Sequence, residues 1–390
     1  MSARYIMIGG FLGAGKTTAV GKLARHLTDA GLKVGLITND QSSGLVDTAI
    51  LKSKGFAVEE IAGGCFCCRF DSLSAAAERL TESTRPDVFL AEPVGSCTDL
   101  VATVSYPLRR MYGDRFAIAP LSVLVDPTRA RRVLGLSDGR SFSPKVVYVY
   151  EKQLEEADLI LVNKCDDLAE AEREELAAKL AERFPRAEVL TCSALRGDGL
   201  APWFERLMND ESSYGPTMEL DYQVYAEGEA LLGWLNATAQ VQSTSSFDAN
   251  ALLTDLCEGL RGKLVERDLE IAHLKATLDT AEAGGMLAAV SMTSSDGSLD
   301  QREALLDSVS AGQLIVNLRA EADPELLNRL VSEELKTCAA RHPGLTIELE
   351  HEEHFRPSPP TPTVRISSEE AVSLGKAVLL GKASASESTQ

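Results

Sequence analysis

The sequence predicts an α/β fold with a mostly parallel sheet covered by helices on both faces, followed by a smaller α+β unit. Three observations predict it. Short apolar runs alternate with longer amphipathic segments over residues 1–200, the pattern of repeated strand–helix–strand units. A glycine-rich turn joins the first apolar run to the first helical segment. Past a Ser-Ser-Tyr-Gly-Pro stretch at 212–216 the pattern changes, and so does the charge. Of a formal net charge of −19, −4 falls on residues 1–216 and −15 on 217–356.

The expected strands of the first unit are Tyr5–Ile8, Lys33–Thr38, Val88–Ala91, Leu121–Asp126, Leu159–Asn163 and Glu188–Thr191. Between them, Lys16–Ala30, Ser72–Glu82 and Ala169–Phe184 read as helices. The last is rich in Ala, Glu, Lys, Leu and Arg and stops at Pro185. In the second unit Leu231–Val241 reads as a strand, and Asp248–Glu266 as a helix with Asp248 as N-cap. Ala272, Leu274, Ala276 and Leu278 alternate with His273, Lys275 and Thr277, so this stretch reads as a half-buried strand. A turn at 282–285 leads into Met286–Met292. Leu314–Leu318 is a further strand, Pro324–Arg341 a helix with Pro in its first turn, and Leu345–Leu349 the closing strand. That order suggests a ferredoxin-like α+β sheet backed by two helices. Pro357, Pro359, Pro360 and Pro362 read as an extended linker, with one short helix over Glu369–Leu380 and a polar end. The expected domains are 1–215, 216–356 and a linker and tail at 357–390.

The acidic balance argues against nucleic acid or an anionic membrane as partner. No apolar stretch approaches the ~20 residues that span a bilayer. Only Arg4 precedes the short run Tyr5–Ile8, which leads straight into the glycine loop. No secretory leader is read there, so a cytoplasmic location is expected. Of eight cysteines, three fall within four residues, Cys65, Cys67 and Cys68. In a reducing compartment such spacing points to metal or redox chemistry.

Gly10-Phe11-Leu12-Gly13-Ala14-Gly15-Lys16-Thr17 fits G-x-x-x-x-G-K-[ST] between a strand and a helix, the P-loop context. Backbone N–H groups of Gly10, Gly13, Ala14, Gly15 and the helix start through Thr18 are expected to cradle phosphates. Lys16 is expected to reach the β/γ-phosphates, and Thr17 to hold Mg²⁺. Glu92, where an apolar strand ends, is expected to bind Mg²⁺ through water or orient the attacking water. Gly95 is expected to give its N–H to the γ-phosphate. Asn163-Lys164-Cys165-Asp166 follows the strand at 159–162. Asp166 can accept from both N1–H and the amine of guanine, a match adenine lacks. Asn163 is expected to brace the loop and the Lys164 stem to cover the base. Ser193 and Ala194 are expected to offer backbone N–H groups to the base oxygen.

Thiolates suit zinc, cobalt or copper(I). Cys65 and Cys67 are expected on one side of an extended turn, with Cys68 folding back and a fourth ligand position left open. Lying between the phosphate loop and Glu92, this segment is placed to respond to the γ-phosphate. Cys97 and the remaining cysteines read as packing residues.

Together these residues resemble a CobW-type GTPase, the metallochaperone branch related to the hydrogenase and urease nickel-insertion GTPases. The likeness rests on Gly9–Thr18, on the C-x-C-C of Cys65, Cys67 and Cys68, on Glu92 with Gly95, and on Asn163-Lys164-x-Asp166. It implies a GTP-hydrolysing domain that needs Mg²⁺. It implies delivery of a transition metal, Zn²⁺ or Co²⁺, to a client metalloprotein or cofactor-assembly protein, often from a nucleotide-bound homodimer. The family's Asn-Glu-Phe-Gly-Glu segment is replaced here by Asn39-Asp40-Gln41-Ser42-Ser43. The shorter Asp40 carboxylate is expected to take over a role toward Mg²⁺. Few histidines are present, which argues against a bulk zinc reservoir. A small-molecule phosphotransferase and a non-hydrolysing, nucleotide-controlled binder share the loop and remain alternatives.

Overall fold

The computed structural model describes residues 2–39, 51, 55–61, 63–212, 215–284 and 286–376. The first sheet carries strands β1 (Ala3–Gly10), β2 (Val34–Asn39), β3 (Val58–Ile61), β4 (Val88–Glu92), β5 (Phe116–Ile118), β6 (Ser122–Val125), β7 (Leu159–Val162) and β8 (Glu188–Thr191). Their order is β3-β2-β4-β1-β6-β7-β8, with β5 on β1. Every pairing is parallel. The reason the strands read as unbroken apolar runs is visible in β1. Tyr5 and Met7 enter one core layer and Ile6 and Ile8 the other, so both faces are buried.

Helices α1 (Lys16–Asp29), α2 (Phe70–Ser83), α3 (Tyr106–Tyr112), α4 (Pro127–Val133), α5 (Pro144–Glu155), α6 (Glu170–Arg183) and α7 (Leu200–Asn209) connect these strands. Parallel connections bring the carboxyl ends of β1, β4, β6 and β7 to one edge. Ligands bind at such edges in open α/β sheets.

The second sheet is antiparallel, in the order β12-β11-β10-β13-β9-β14. Its strands are β9 (Leu232–Phe247), β10 (Ile271–Asp279), β11 (Leu287–Met292), β12 (Asp300–Glu303), β13 (Val309–Glu321) and β14 (Leu345–Phe355). One face packs under α9 (Ala249–Val265) and α10 (Pro324–Arg341). Asp248 caps α9, its Oδ1 accepting from the N–H groups of Asn250 (2.8 Å) and Ala251 (3.1 Å).

Strands β3, β5 and β12 and helices α3, α4, α5 and α7 were not read from the sequence, and two further features depart from that reading. Helix α8 (Tyr222–Leu231) precedes β9 and packs back on the first unit. There Tyr225 Oη accepts the Thr98 N–H at 3.3 Å, and Glu227 pairs with Lys145 of α5. The proline-rich segment is also more than a spacer. Ile366 and Ala371 are fully buried beside Tyr106, and Arg365 pairs with buried Asp99 at 2.7 Å. Residues 368–376 are helical. Among the described residues no helix is long and apolar enough to cross a membrane.

Candidate functional site

Strand β1 runs out at Gly10, and the chain wraps through Gly13 and Gly15 into α1. Gly15 is the N-cap, with φ at 90°. A side chain there would stand 2.3 Å from Asn163 Nδ2, so only glycine lets the loop after β7 approach. Lys16 is buried, and its Nζ donates to Gly10 O at 2.8 Å and Phe11 O at 3.5 Å. Thr17 Oγ1 donates to Glu92 Oε1 at 2.9 Å. These hydroxyl and carboxylate oxygens are hard donors, the chemistry that suits Mg²⁺. Above them lies a cavity of about 260 Å³, lined among others by Lys16, Thr17, Thr18, Asn39, Glu92 and Gly95.

The base-side residues form a brace. Asn163 Nδ2 donates to Ala14 O at 2.8 Å, and its Oδ1 accepts the Ala194 N–H at 2.9 Å. Asp166 Oδ2 meets Arg196 at 3.0 Å, while its buried Oδ1 has no partner. An orphaned, buried carboxylate oxygen is suited to receive a donor from a ligand. Lys164 reaches along the same edge toward the end of β6, donating to Asp126 Oδ2 at 2.7 Å and to Thr293 Oγ1 at 3.4 Å. Burial alone would raise the Asp126 carboxyl. The charges of Lys164 and Arg129 outweigh it and bring it down to about 2. The Ser193 N–H donates to Asp198 O at 2.9 Å and the Ala194 N–H to Asn163. Both N–H groups are engaged within the protein here, where they brace the loop after β8.

The cysteines converge more tightly than an extended turn allows. Cys68 N–H and Arg69 N–H both donate to Cys65 O, at 3.1 and 2.9 Å, winding the segment into a helical turn that feeds α2. The Sγ atoms stand 2.7 Å (Cys65–Cys67), 3.2 Å (Cys65–Cys68) and 3.7 Å (Cys67–Cys68) apart. The S–H groups of Cys67, Cys68 and Cys97 pull the Cys65 thiol well below its usual range. The last segment closes over this turn. Thr361 N–H donates to Cys68 Sγ at 3.2 Å, and Thr363 N–H to Cys67 O at 2.9 Å.

Asn39, at the end of β2, joins the two sites. It lines the phosphate cavity, while its Nδ2 donates to Ile61 O at 3.0 Å and to Gly64 O at 2.7 Å, one residue before Cys65. Asp40 lies outside the described residues. His354, on β14, is bound up with Glu325 at 3.2 Å and Glu352 at 3.5 Å. A further grouping of Asp255, Cys338 and His342 also meets. There Arg341 Nε sits 2.8 Å from Asp255 Oδ2 and takes the place of a cation.

Sequence reasoning missed Arg129. It donates to Leu12 O, Ala272 O (3.1 Å) and Thr293 O, and lies between the rings of Phe11 and Phe142, 5.1 Å from each centroid. No local pattern marks one of the three arginines in a short helix as a link between two units.

Residues 4–191 match the family described as CobW/HypB/UreG, nucleotide-binding domain. The zinc chaperone CobW of a Sinorhizobium species is 29% identical over 179 residues, which are 41% of this chain and 50% of that protein. The zinc chaperone YeiR of Escherichia coli is 30% identical over 166 residues, 42% of this chain and 47% of that protein. The chain thus spans about half the length of the curated relatives it matches. Among solved structures, Zn(II)-bound YjiA GTPase from E. coli aligns at 16% identity with a TM-score of 0.37, over 85% of this chain and 99% of that one. Nothing further rests on that likeness.

Proposed function

We propose that the chain, whose residues 4–191 match the CobW/HypB/UreG nucleotide-binding domain, is a GTP-hydrolysing metallochaperone. It couples its nucleotide state to holding and releasing a transition metal. Zinc is the favoured cargo, since relatives in that family are named zinc chaperones; cobalt fits the same thiolates. The observation that carries the proposal is Asn39, whose one side chain borders the phosphate cavity and holds the backbone before Cys65.

The chain's own residues have distinct tasks. The loop from Gly10 to Thr18 orients the triphosphate, and Lys16 turns from the loop carbonyls toward it. Thr17 and Glu92, with Asp40 as a further carboxylate, would hold Mg²⁺, which would supply charge neutralisation at the phosphates. Glu92 also orients the attacking water, and Gly95 holds the γ-phosphate. Asp166 selects guanine, with Asn163 fixing the distance from phosphate loop to base. The Lys164 stem, tied to Asp126, flanks the base. Cys65, Cys67 and Cys68 hold the cargo. Sulfurs around zinc at about 2.3 Å stand about 3.8 Å apart, so the Cys65–Cys67 edge, at 2.7 Å, opens by about 1 Å on loading.

The working units are 1–215, 216–356 and 357–390. The recipient is a client metalloprotein or cofactor-assembly protein, and triphosphate binding promotes a homodimer. A reducing compartment, the cytoplasm, suits eight cysteines that are all free thiols. The test is paired. Purified chain loaded with zinc binds about one equivalent, and Cys67→Ala loses it. Phosphate release from GTP drops at least about tenfold in Glu92→Gln. Equal zinc content in both proteins, or GTP turnover untouched by Glu92→Gln, contradicts the proposal.

A further inference from the structure

The cavity over the phosphate loop has a second wall. On β10, Leu274, Ala276 and Leu278 enter the core beneath α9 and α10. His273, Lys275 and Thr277 therefore take the opposite face. That face meets the phosphate loop at closest packing. A Cβ on Gly13 would stand 2.6 Å from Thr293 Cγ2 and 3.1 Å from Ala272 O. Arg129 fastens the walls together, donating to Leu12 O on one side and to Ala272 O and Thr293 O on the other.

A face that served only for packing would be apolar. This one buries Asn236, His273, Ser291 and Asn317 and adds Lys275 and Arg302 to the cavity lining. His273 is 6% exposed, borders the cavity, and its Nε2 has no partner. Lys16, Lys22, Lys275 and Arg302 line the space against Glu92 and Glu303, and Arg302 is paired with Asp300 at 2.8 Å. Fixed cations in excess, together with an orphaned buried nitrogen, favour an anion there. The anion that the first wall is built to receive is a phosphate chain. Its terminal group is the part that extends away from the loop.

We infer that Lys275 and His273 of the second sheet contact the terminal phosphate of the bound nucleotide, so the site is composite and the second sheet distinguishes triphosphate from diphosphate. This inference rests on the nucleotide reading above. It gives the second unit a task in the chemistry. Lys275 places a cation from within the same chain where charge spreads over the phosphoryl oxygens, and His273 gains the partner it lacks. It also makes the domain contact nucleotide-sensitive, because loss of the terminal phosphate removes a tie between the two walls.

The test uses the full chain and three variants, Lys275→Gln, Lys275→Arg and His273→Gln. Each is titrated with GDP and with a non-hydrolysable GTP analogue in the presence of Mg²⁺, and single-turnover GTP hydrolysis is followed. Lys275→Gln is expected to bind the triphosphate analogue about tenfold more weakly, the loss of one charge-assisted contact. Its GDP affinity changes less than about twofold, and its hydrolysis slows at least about tenfold. Lys275→Arg keeps most of the triphosphate preference, and His273→Gln loses part of it. GDP binding reports that each variant is folded. An unchanged ratio of triphosphate to diphosphate affinity in Lys275→Gln and His273→Gln, or an equal loss of both, overturns the inference and leaves the nucleotide reading standing. Failure of the unmutated chain to bind either nucleotide overturns that reading, and the inference with it.

Discussion

Arg129→Met removes the fastening between the two units while keeping an aliphatic chain between Phe11 and Phe142. The guanidinium donates to the carbonyls of Leu12, Ala272 and Thr293. Hydrogen bonds from a charged donor contribute about 1.5 kcal/mol each at the low end, so three amount to roughly 4–5 kcal/mol. Burial depresses even this guanidinium. Removing so costly a buried charge offsets about 1–2 kcal/mol of the loss. The net expectation is a loss of about 3 kcal/mol, or about 1 M in urea midpoint for a slope near 3 kcal/mol/M. Trp203 lies in the core of the first unit and Trp234 on the second sheet, so intrinsic fluorescence reports both. The variant should unfold at lower urea, with fluorescence and far-UV circular dichroism no longer coincident. A midpoint within about 0.2 M of the parent, with coincident curves, refutes the view that this arginine joins the units.

Asn163→Ala leaves Ala14 O and the Ala194 N–H unpartnered, and GTP affinity by calorimetry should fall at least about tenfold. Asp166→Asn should move nucleotide preference from guanosine toward xanthosine triphosphate in a competition assay; retained guanine preference counts against Asp166 as the reader. Ile366→Asp should undock the last segment from Tyr106 and speed zinc loss to a chelator by about fivefold or more, since that segment covers the cysteine turn. Burial lifts the Glu156 carboxyl from 4.5 to about 8. A carboxyl raised in the folded state stabilises below pH 4.5, and that contribution is lost as pH climbs from 4.5 through 8. Glu156→Gln should therefore lose less stability than the parent between pH 5 and pH 8, by a few kcal/mol in urea titrations; parallel pH profiles refute this.

The parallel sheet was legible because two-face burial writes strands as continuous apolar runs, as in β1 and β7. The phosphate loop, Asn163 and Asp166 were legible because their spacing is local. Helix α8 was not, since its buried stripe is Tyr225, Gly228 and Glu229, with no apolar period to follow. The docking of Ile366 was hidden for another reason: proline composition reports an extended backbone but not what it lies against. The alternation of His273 and Lys275 on β10 was read correctly as one face of a strand. That this face opposes Gly13 is a tertiary fact which no window of sequence contains. The winding of Cys65 to Cys68 follows from hydrogen bonds to one carbonyl, and sulfur spacing alone did not distinguish it from an extended turn.

The account stands or falls on whether a triphosphate alters the hold of three sulfurs on zinc through Asn39 and its neighbours. The direct measurement is competitive zinc titration of the same chain in three states: nucleotide-free, with GDP, and with a non-hydrolysable GTP analogue. The account predicts that the triphosphate form differs from the GDP form by at least about fivefold in zinc affinity, a coupling of about 1 kcal/mol. It also predicts that the difference vanishes in Asn39→Ala. Superimposable zinc curves in all three states would contradict it.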